Sequence, residues 1–310
     1  MSKNIFILTT FHYFRKKIKS FMKKLIVLLF VLFSVSVFSQ EDVYFGKKKL
    51  VAAEVILENG DIKTGYLQDF QSNRFYNGDV GSFSGIEKNF KFEVKEFKFK
   101  EEAGSAIQLI NISDVKRIVL LNNDGSERLV YDKMKLKTIN SNNEVVDLKK
   151  TVILPLEQEG KLNLYGITVV AYGQASPYSR GPANQYLTTL FIPYLKSSNS
   201  EYAYLPFDIN RMNIFNLGKL EGKFKKALEE ATKECPEFQE NINETMKVFE
   251  KSQKKDLKQM YYDKEAKKKQ IRKDVKNKAE ENFLQMKIDA EYGMKPYLQL
   301  VDDYNKKCSK

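Results

Sequence analysis

The sequence predicts an α+β protein in which an antiparallel β-rich region, sheet-like or barrel-like, precedes a helical region. Between residues 40 and 210, apolar and polar residues alternate and turn-forming residues recur, as expected of strands. From residue 213 to residue 310, apolar residues instead recur every three or four positions, as on one face of a helix. A third observation, a short apolar run near the N-terminus, predicts the compartment in which this fold works.

Residues 1–39 have the pattern of a secretory signal peptide. Lys23 and Lys24 precede an uncharged apolar run of 14 residues, 25–38. A membrane-spanning helix needs about 20 apolar residues, so this run suits a signal peptide better than an anchor. Small side chains before the junction predict cleavage between Ser39 and Gln40. We therefore expect an exported protein that is periplasmic, outer-membrane-associated or secreted.

Residues 1–21 lengthen the basic segment before the apolar run, and two explanations stay open. Translation starts at Met22, from which the segment has ordinary signal-peptide proportions, or the N-terminus is an uncleaved anchor. The first explanation is favoured by those proportions.

The basic character of the chain is local. The full sequence has a net charge of +12, but residues 1–39 contain seven basic residues and no acidic ones. The remaining chain has 45 basic and 40 acidic residues, and residues 251–278 alone carry +8. The rest is slightly acidic, which argues against nucleic acid as a partner.

Histidine chemistry is absent from the predicted mature chain, because the one histidine, His12, lies in the signal peptide. This excludes Ser-His-Asp and Cys-His catalysis and histidine-ligated zinc. The run 81–85 resembles a nucleophile elbow but has Phe83 at its centre. Asp302 and Asp303 are adjacent on a helix and cannot jointly hold a metal ion, so they are interpreted as a solvated face. We assign no catalytic, cofactor-binding or metal-binding residue.

Two hairpins and a glycine-rich loop are predicted in the β-rich region. Asn59-Gly60 between apolar runs predicts a hairpin with a type I′ turn, and residues 117–131 predict a second hairpin. Residues 173–184 have no apolar periodicity and predict a surface loop. Aromatic residues at strand spacing are interpreted as core, with a ligand pocket as the alternative; these are Phe90, Phe92, Phe97 and Phe99.

In the helical region, an apolar stripe runs from Leu220 to Cys235, and Pro236 suits the first turn of a further helix. Gly293 predicts the end of a helix and Pro296 the start of the next. The inner face of the last helix is predicted to carry Tyr297, Val301, Tyr304 and Cys308.

The two cysteines, Cys235 and Cys308, each end an apolar stripe. In an oxidising compartment an even pair favours a disulfide. Two buried, unpaired thiols are the alternative.

The Lys-rich segment 251–278 allows three interpretations. It is a solvated helix, part of a helical hairpin or a weak coiled coil; or it contacts an anionic membrane surface or a cell-surface polysaccharide; or it binds nucleic acid. Aromatic residues are sparse and the predicted compartment is wrong for nucleic acid, so the last interpretation is the weakest.

Short motifs extend over residues 49–308. They are Asn59-Gly60-Asp61 leading to Gly65-Tyr66, then Gly160-Lys161-Leu162-Asn163-Leu164-Tyr165, Cys235-Pro236, and Tyr304-Asn305-Lys306-Lys307-Cys308. In these the chain resembles exported Gram-negative bacterial proteins of unknown function with a G-K-x-x-L-Y strand and a C-P … Y-N-x-x-C helical region. The resemblance implies architecture and export, and it carries no known activity or cofactor. The first hairpin also resembles those of Sm-like and SH3-like barrels, an analogy of fold alone.

The leading hypothesis is a non-enzymatic binding or scaffolding protein of the cell envelope, with an unknown envelope protein or polysaccharide as partner. A carboxylate-based, glycosidase-like hydrolase is the alternative, since two Asp or Glu side chains suffice for that chemistry. A third hypothesis is association with a membrane surface through residues 251–278.

Overall fold

The structure is a computed structural model that describes residues 48–70, 75–79, 95–121, 127–174, 185–206 and 220–308. These residues belong to one compact unit. The predicted signal peptide, with Ser39, Gln40 and Met22, lies outside them, as do residues 81–85, Phe90 and Phe92.

Eleven strands form one continuous sheet within the described residues. They are β1 (Lys48–Leu57), β2 (Ile62–Phe70), β3 (Phe75–Asp79), β4 (Glu96–Lys100), β5 (Gln108–Asn111), β6 (Val115–Leu121), β7 (Glu127–Ile139), β8 (Val145–Gln158), β9 (Leu162–Gln174), β10 (Gln185–Ser197) and β11 (Tyr202–Leu205). Their order is β11-β10-β9-β8-β7-β6-β1-β2-β4-β5, with β3 beside β9 and β11 also paired with β7. This sheet, together with the helices that follow it, confirms the predicted α+β class.

Five strands close into a barrel, because β7 through β11 follow one another and β11 returns to β7. The long strand β7 pairs with two strands along the same edge: residues 127–132 pair with β6 and residues 135–138 pair with β11. Alternate side chains of these strands point inward and fill the barrel with buried apolar groups. They include Met134, Leu154, Tyr165, Ile167 and Ile192.

The remaining strands extend the sheet in the order β6-β1-β2-β4-β5, with a 3-10 turn at Ile112–Asp114 before β6. The first predicted hairpin is confirmed, since β1 and β2 pair antiparallel across Asn59-Gly60. Its turn type is wrong: only Gly60 has a positive φ (91°), while its N–H donates to the Leu57 carbonyl over 3.0 Å. Such a three-residue loop with a glycine bulge needs one left-handed residue, not two.

Other strand predictions hold with shifted ends. The second hairpin joins β6 and β7, although its turn, residues 122–126, lies outside the described part. Phe97 and Phe99 are buried in β4, which confirms their interpretation as core. The predicted loop 173–184 is wrong at its start, because β9 stays paired with β10 as far as Gln174. The rest of that loop, residues 175–184, is not among the described residues.

Four helices follow in the described part of the chain: α1 (Leu220–Ala231), α2 (Pro236–Glu240), α3 (Ile242–Asp274) and α4 (Lys278–Cys308). The predicted start of a helix at Pro236 is confirmed. The long helices α3 and α4 form a hairpin, and the buried faces of all four helices join one side of the barrel in a single core. That core includes Leu164, Leu195, Phe224, Leu228, Phe238 and Val301.

The predicted break at Gly293 and Pro296 is wrong, because α4 runs through both residues. A proline inside a helix removes one hydrogen bond and costs about 3 kcal/mol. The turn that follows Pro296 buries Leu300 and Val301, and the Tyr297 ring lies 5.5 Å from the Phe191 ring of β10. This packing against the barrel holds the helix together despite the proline.

Candidate functional site

Two of the sequence motifs meet in space through one asparagine. The side chain of Asn305, on α4, accepts a hydrogen bond from the Leu162 N–H over 2.8 Å and donates one to the Leu162 carbonyl over 3.0 Å. The amide therefore pairs with the start of β9 as a neighbouring strand would. A helix and a strand 143 positions apart in sequence are joined by this contact.

Gly160 makes room for that contact. A β-carbon at this position would lie 2.1 Å from Asn305 Nδ2, far inside van der Waals contact. The neighbouring Lys161 donates from its ammonium group to the carbonyl oxygen of Cys308 at the end of α4. We call Gly160, Lys161, Leu162, Asn305 and Cys308 the latch.

A disulfide lies beside the latch. Cys235 and Cys308 are bonded, with their Cα atoms 6.0 Å apart, and both residues are buried. The rings of Phe238 and Tyr304 cross edge to face nearby, with centroids 4.9 Å apart. The C-P and Y-N-x-x-C motifs therefore fasten the last helix to the start of the helical region, while the latch fastens it to the barrel.

The motif of the first hairpin also has a structural explanation. Asn59 Oδ1 accepts a hydrogen bond from the Asp61 N–H over 3.0 Å, which stabilises the turn. A β-carbon on Gly65 would lie 2.2 Å from the Lys100 carbonyl oxygen. Both glycine motifs thus mark close approaches within the fold and do not mark a binding loop.

A charged cluster lies at the end of the β6–β7 pairing, at the Arg117–Asp132 pair. Asp132 accepts two hydrogen bonds from Arg117, over 2.6 and 3.0 Å, and one from the Tyr165 hydroxyl over 2.7 Å. The hydrogen bond to Asp132 raises the pKa of Arg117. Burial, and then the Asp132 charge, raise the pKa of Tyr165, so its hydroxyl stays protonated near neutral pH. The cluster is a cross-strand ion pair that suits stability rather than acid–base catalysis.

Sequence reasoning missed this cluster, because its members are 15 and 33 positions apart and only strand register brings them together. Lys196 of β10 faces the same end of the barrel, opposite Asn163 in register. Burial lowers its pKa, and the Asp132 charge counteracts this. In the sequence, the one signal for this cluster is that Asp132 and Lys196 stand at strand positions where alternation predicts an inward-facing apolar side chain.

A groove of about 410 Å³ opens between the start of α3 and the second half of α4. Its apolar lining comes from Val248, Phe249, Pro296 and Leu300. Polar groups complete it: Asn241, Glu244, Thr245, Gln299, Asp302, Asp303 and Lys307. Val248 is 56% exposed although it is apolar, so this wall of the groove is open to solvent. Asp302 and Asp303, interpreted from sequence as solvated, both line this groove, and Asp302 pairs with Lys306 on its own helix.

The Lys-rich segment lies mostly on α3, and part of its charge is neutralised within the hairpin. Lys264 and Lys268 both pair with Asp289 of α4, over 3.1 and 2.6 Å. Arg272 pairs with Glu265 over 3.4 Å. The helical-hairpin interpretation of this segment is therefore confirmed in outline.

Within the described ranges, no group of three or more Asp, Glu, Cys or His residues is placed to hold a metal ion. None of the described helices combines the length and the apolar character needed to cross a membrane. The chain matches no protein-family model, and neither a curated protein nor a solved structure is significantly similar to it.

Proposed function

We propose that this protein is an exported, non-enzymatic binding or scaffolding protein of the cell envelope. The observation that carries the proposal is the groove between α3 and α4. It combines an exposed apolar wall with a polar border, the arrangement of apolar core and polar rim found at protein-binding sites. An envelope protein that presents an apolar side chain flanked by polar groups is the partner that fits it.

Export is supported by the predicted signal peptide and by the disulfide. A buried bridge between Cys235 and Cys308 closes a loop of 73 positions, and such structural bridges are typical of oxidising compartments. The latch adds hydrogen bonds beside this bridge. The C-terminal end of α4, which lines the groove, is therefore held in place by both. A fixed groove is expected to bind with little ordering cost.

The test combines two steps. Cell fractionation followed by N-terminal sequencing is expected to find Gln40 as the first residue in the envelope or medium. Pull-down from envelope extract is then expected to recover a partner with the wild-type mature chain and lose it with Val248→Asp. The exposed, charge-changing substitution Asn142→Asp, on the turn between β7 and β8, is the matched control. A cytoplasmic, uncleaved protein would overturn the export proposal.

A glycosidase-like hydrolase is the second candidate, because the groove has carboxylates on both walls: Glu244 on α3, and Asp302 and Asp303 on α4. Acid–base hydrolysis needs two such groups across a substrate. This alternative predicts that Glu244→Gln and Asp303→Asn each abolish cleavage of a chromogenic glycoside. Without any cleavage by the wild-type protein across a glycoside panel, the binding proposal is favoured.

A further inference from the structure

The outer face of the barrel carries a cluster of lysines that the proposed groove does not use. Lys135 and Lys137 alternate with inward-facing Met134 and Leu136 along β7, so both ammonium groups lie on the outside. Lys149 and Lys150 of the neighbouring strand β8 are exposed beside them. We call these four residues the lysine face.

A bulge in β8 creates this arrangement. Lys135 pairs with Thr151 and Lys137 pairs with Asp147, so Leu136 alone faces three residues, 148–150. Leu148 turns towards the barrel interior, and the two lysines turn outward. Bulges of this kind re-aim side chains and recur beside binding sites.

The backbone at the bulge is strained. Lys149 has φ of 52°, in the left-handed region that glycine adopts at least cost, and the Asp147 carboxylate holds its N–H over 2.7 Å. A glycine here would fold more easily, yet the sequence has a lysine. Backbone strain of this kind concentrates at functional positions, which makes Lys149 a candidate contact residue.

The charge of the lysine face is only partly neutralised. Lys135 pairs with Glu201 over 2.9 Å, but both side chains are about half exposed, so the pair is weak. Lys137 lies 4.0 Å from the Tyr202 ring centre and opposite Asp147 in register, contacts that stabilise its charge only in part. With Glu201 and Asp147 counted, the face keeps a net charge of +2 in a part of the chain that is otherwise acidic.

We propose that the lysine face binds an anionic polysaccharide, that is, an extended sugar polymer with sulfate, phosphate or carboxylate groups. Lys135 and Lys137 are alternate residues of one strand, about 6.8 Å apart, and the bulge brings Lys149 and Lys150 beside them on the neighbouring strand, about 4.8 Å away. The four positive charges therefore lie close together on one face, as binding of a polymer with repeated negative charges requires. A membrane surface fits less well, because lipid-binding surfaces insert apolar side chains. The exposed large apolar residues within the described part of the chain all lie on other elements than β7, β8 and β11.

Heparin, a sulfated polysaccharide, is the probe. At fixed ionic strength we expect Lys149→Gln/Lys150→Gln to weaken heparin binding by roughly fivefold per lysine. The matched control, Lys269→Gln/Lys273→Gln, removes two exposed lysines from α3 and is expected to change binding by less than about twofold. Equal losses in both variants, or no loss in the first, would overturn the proposal.

Two further arms separate the alternatives. Lys149→Gly is expected to weaken heparin binding while raising the melting temperature, since it removes the strain with the charge; a lower melting temperature would contradict the argument from strain. Co-sedimentation with phosphatidylglycerol vesicles is expected to be unaffected by Lys149→Gln/Lys150→Gln. A loss there would reassign the face to a membrane surface. None of these readouts involves the groove, so their outcome tests the lysine face independently of the proposed function.

Discussion

Replacing Asn305 by alanine is expected to destabilise the protein by about 2 kcal/mol, because it removes both latch hydrogen bonds, each worth about 1 kcal/mol. The Leu162 N–H and carbonyl lie in a partly buried place and regain water only in part. For a domain of this size the change corresponds to a fall in melting temperature of about 4–8 °C. Urea unfolding of the mature, oxidised protein measures the free energy directly. Asn142→Ala, on an exposed turn, is the control and is expected to stay within about 0.5 kcal/mol.

A double-mutant cycle makes this prediction sharper. Gly160→Ala places a methyl group 2.1 Å from Asn305 and is expected to cost more than 1 kcal/mol alone. In the Asn305→Ala background that methyl group has room, so the same substitution is expected to cost much less. A coupling energy of at least about 1 kcal/mol between the two positions is therefore expected. Additive effects, or an Asn305→Ala change below about 0.5 kcal/mol, would refute the description of the latch.

Three other outcomes follow from the same contacts. Replacing Cys235 and Cys308 together by serine is expected to cost about 4 kcal/mol in urea unfolding, from the loop of 73 positions that the bridge closes; an unchanged midpoint would count against the disulfide. The pKa of Tyr165 is raised on folding, so its contribution to stability is present below pH 10 and is lost as the pH rises above that value. Tyr165→Phe is accordingly expected to lose less stability between pH 10 and 12 than the wild type does, and a steeper loss would contradict that sign. Val248→Asp is expected to leave the melting temperature within about 2 °C because the side chain is exposed, and a larger fall would mean that the groove wall is part of the core.

Much of the architecture could be predicted from local pattern. The change from alternating to helical periodicity separates β11 from α1 correctly, and Asn59-Gly60 locates the first hairpin. The turn type there could not be derived, because a dipeptide does not reveal whether the loop has two residues or three. The continuous α4 was missed because a proline signals a helix break locally, whereas burial of Val301 and its neighbours decides the outcome.

The latch and the proposed binding surfaces were less accessible to sequence reasoning. The motifs containing Gly160 and Asn305 were visible, but their contact joins residues far apart in the chain and depends on how the last helix docks. The groove is formed by two helices whose pairing no single segment encodes. The lysine face had a local signal, alternating lysines on β7, yet its partner residues come from a bulge whose register sequence alone does not specify.

The most direct test of the central claim, that the groove is the binding surface of an exported protein, is photo-crosslinking in living cells. A benzoyl-phenylalanine at Val248 is expected to give one discrete adduct of higher mass in the envelope fraction, on a chain that begins at Gln40. The same residue at Lys273, on the exposed side of α3, is expected to give none. An adduct at Lys273 as strong as that at Val248, or no adduct at Val248 in cells that export the protein, would contradict the account.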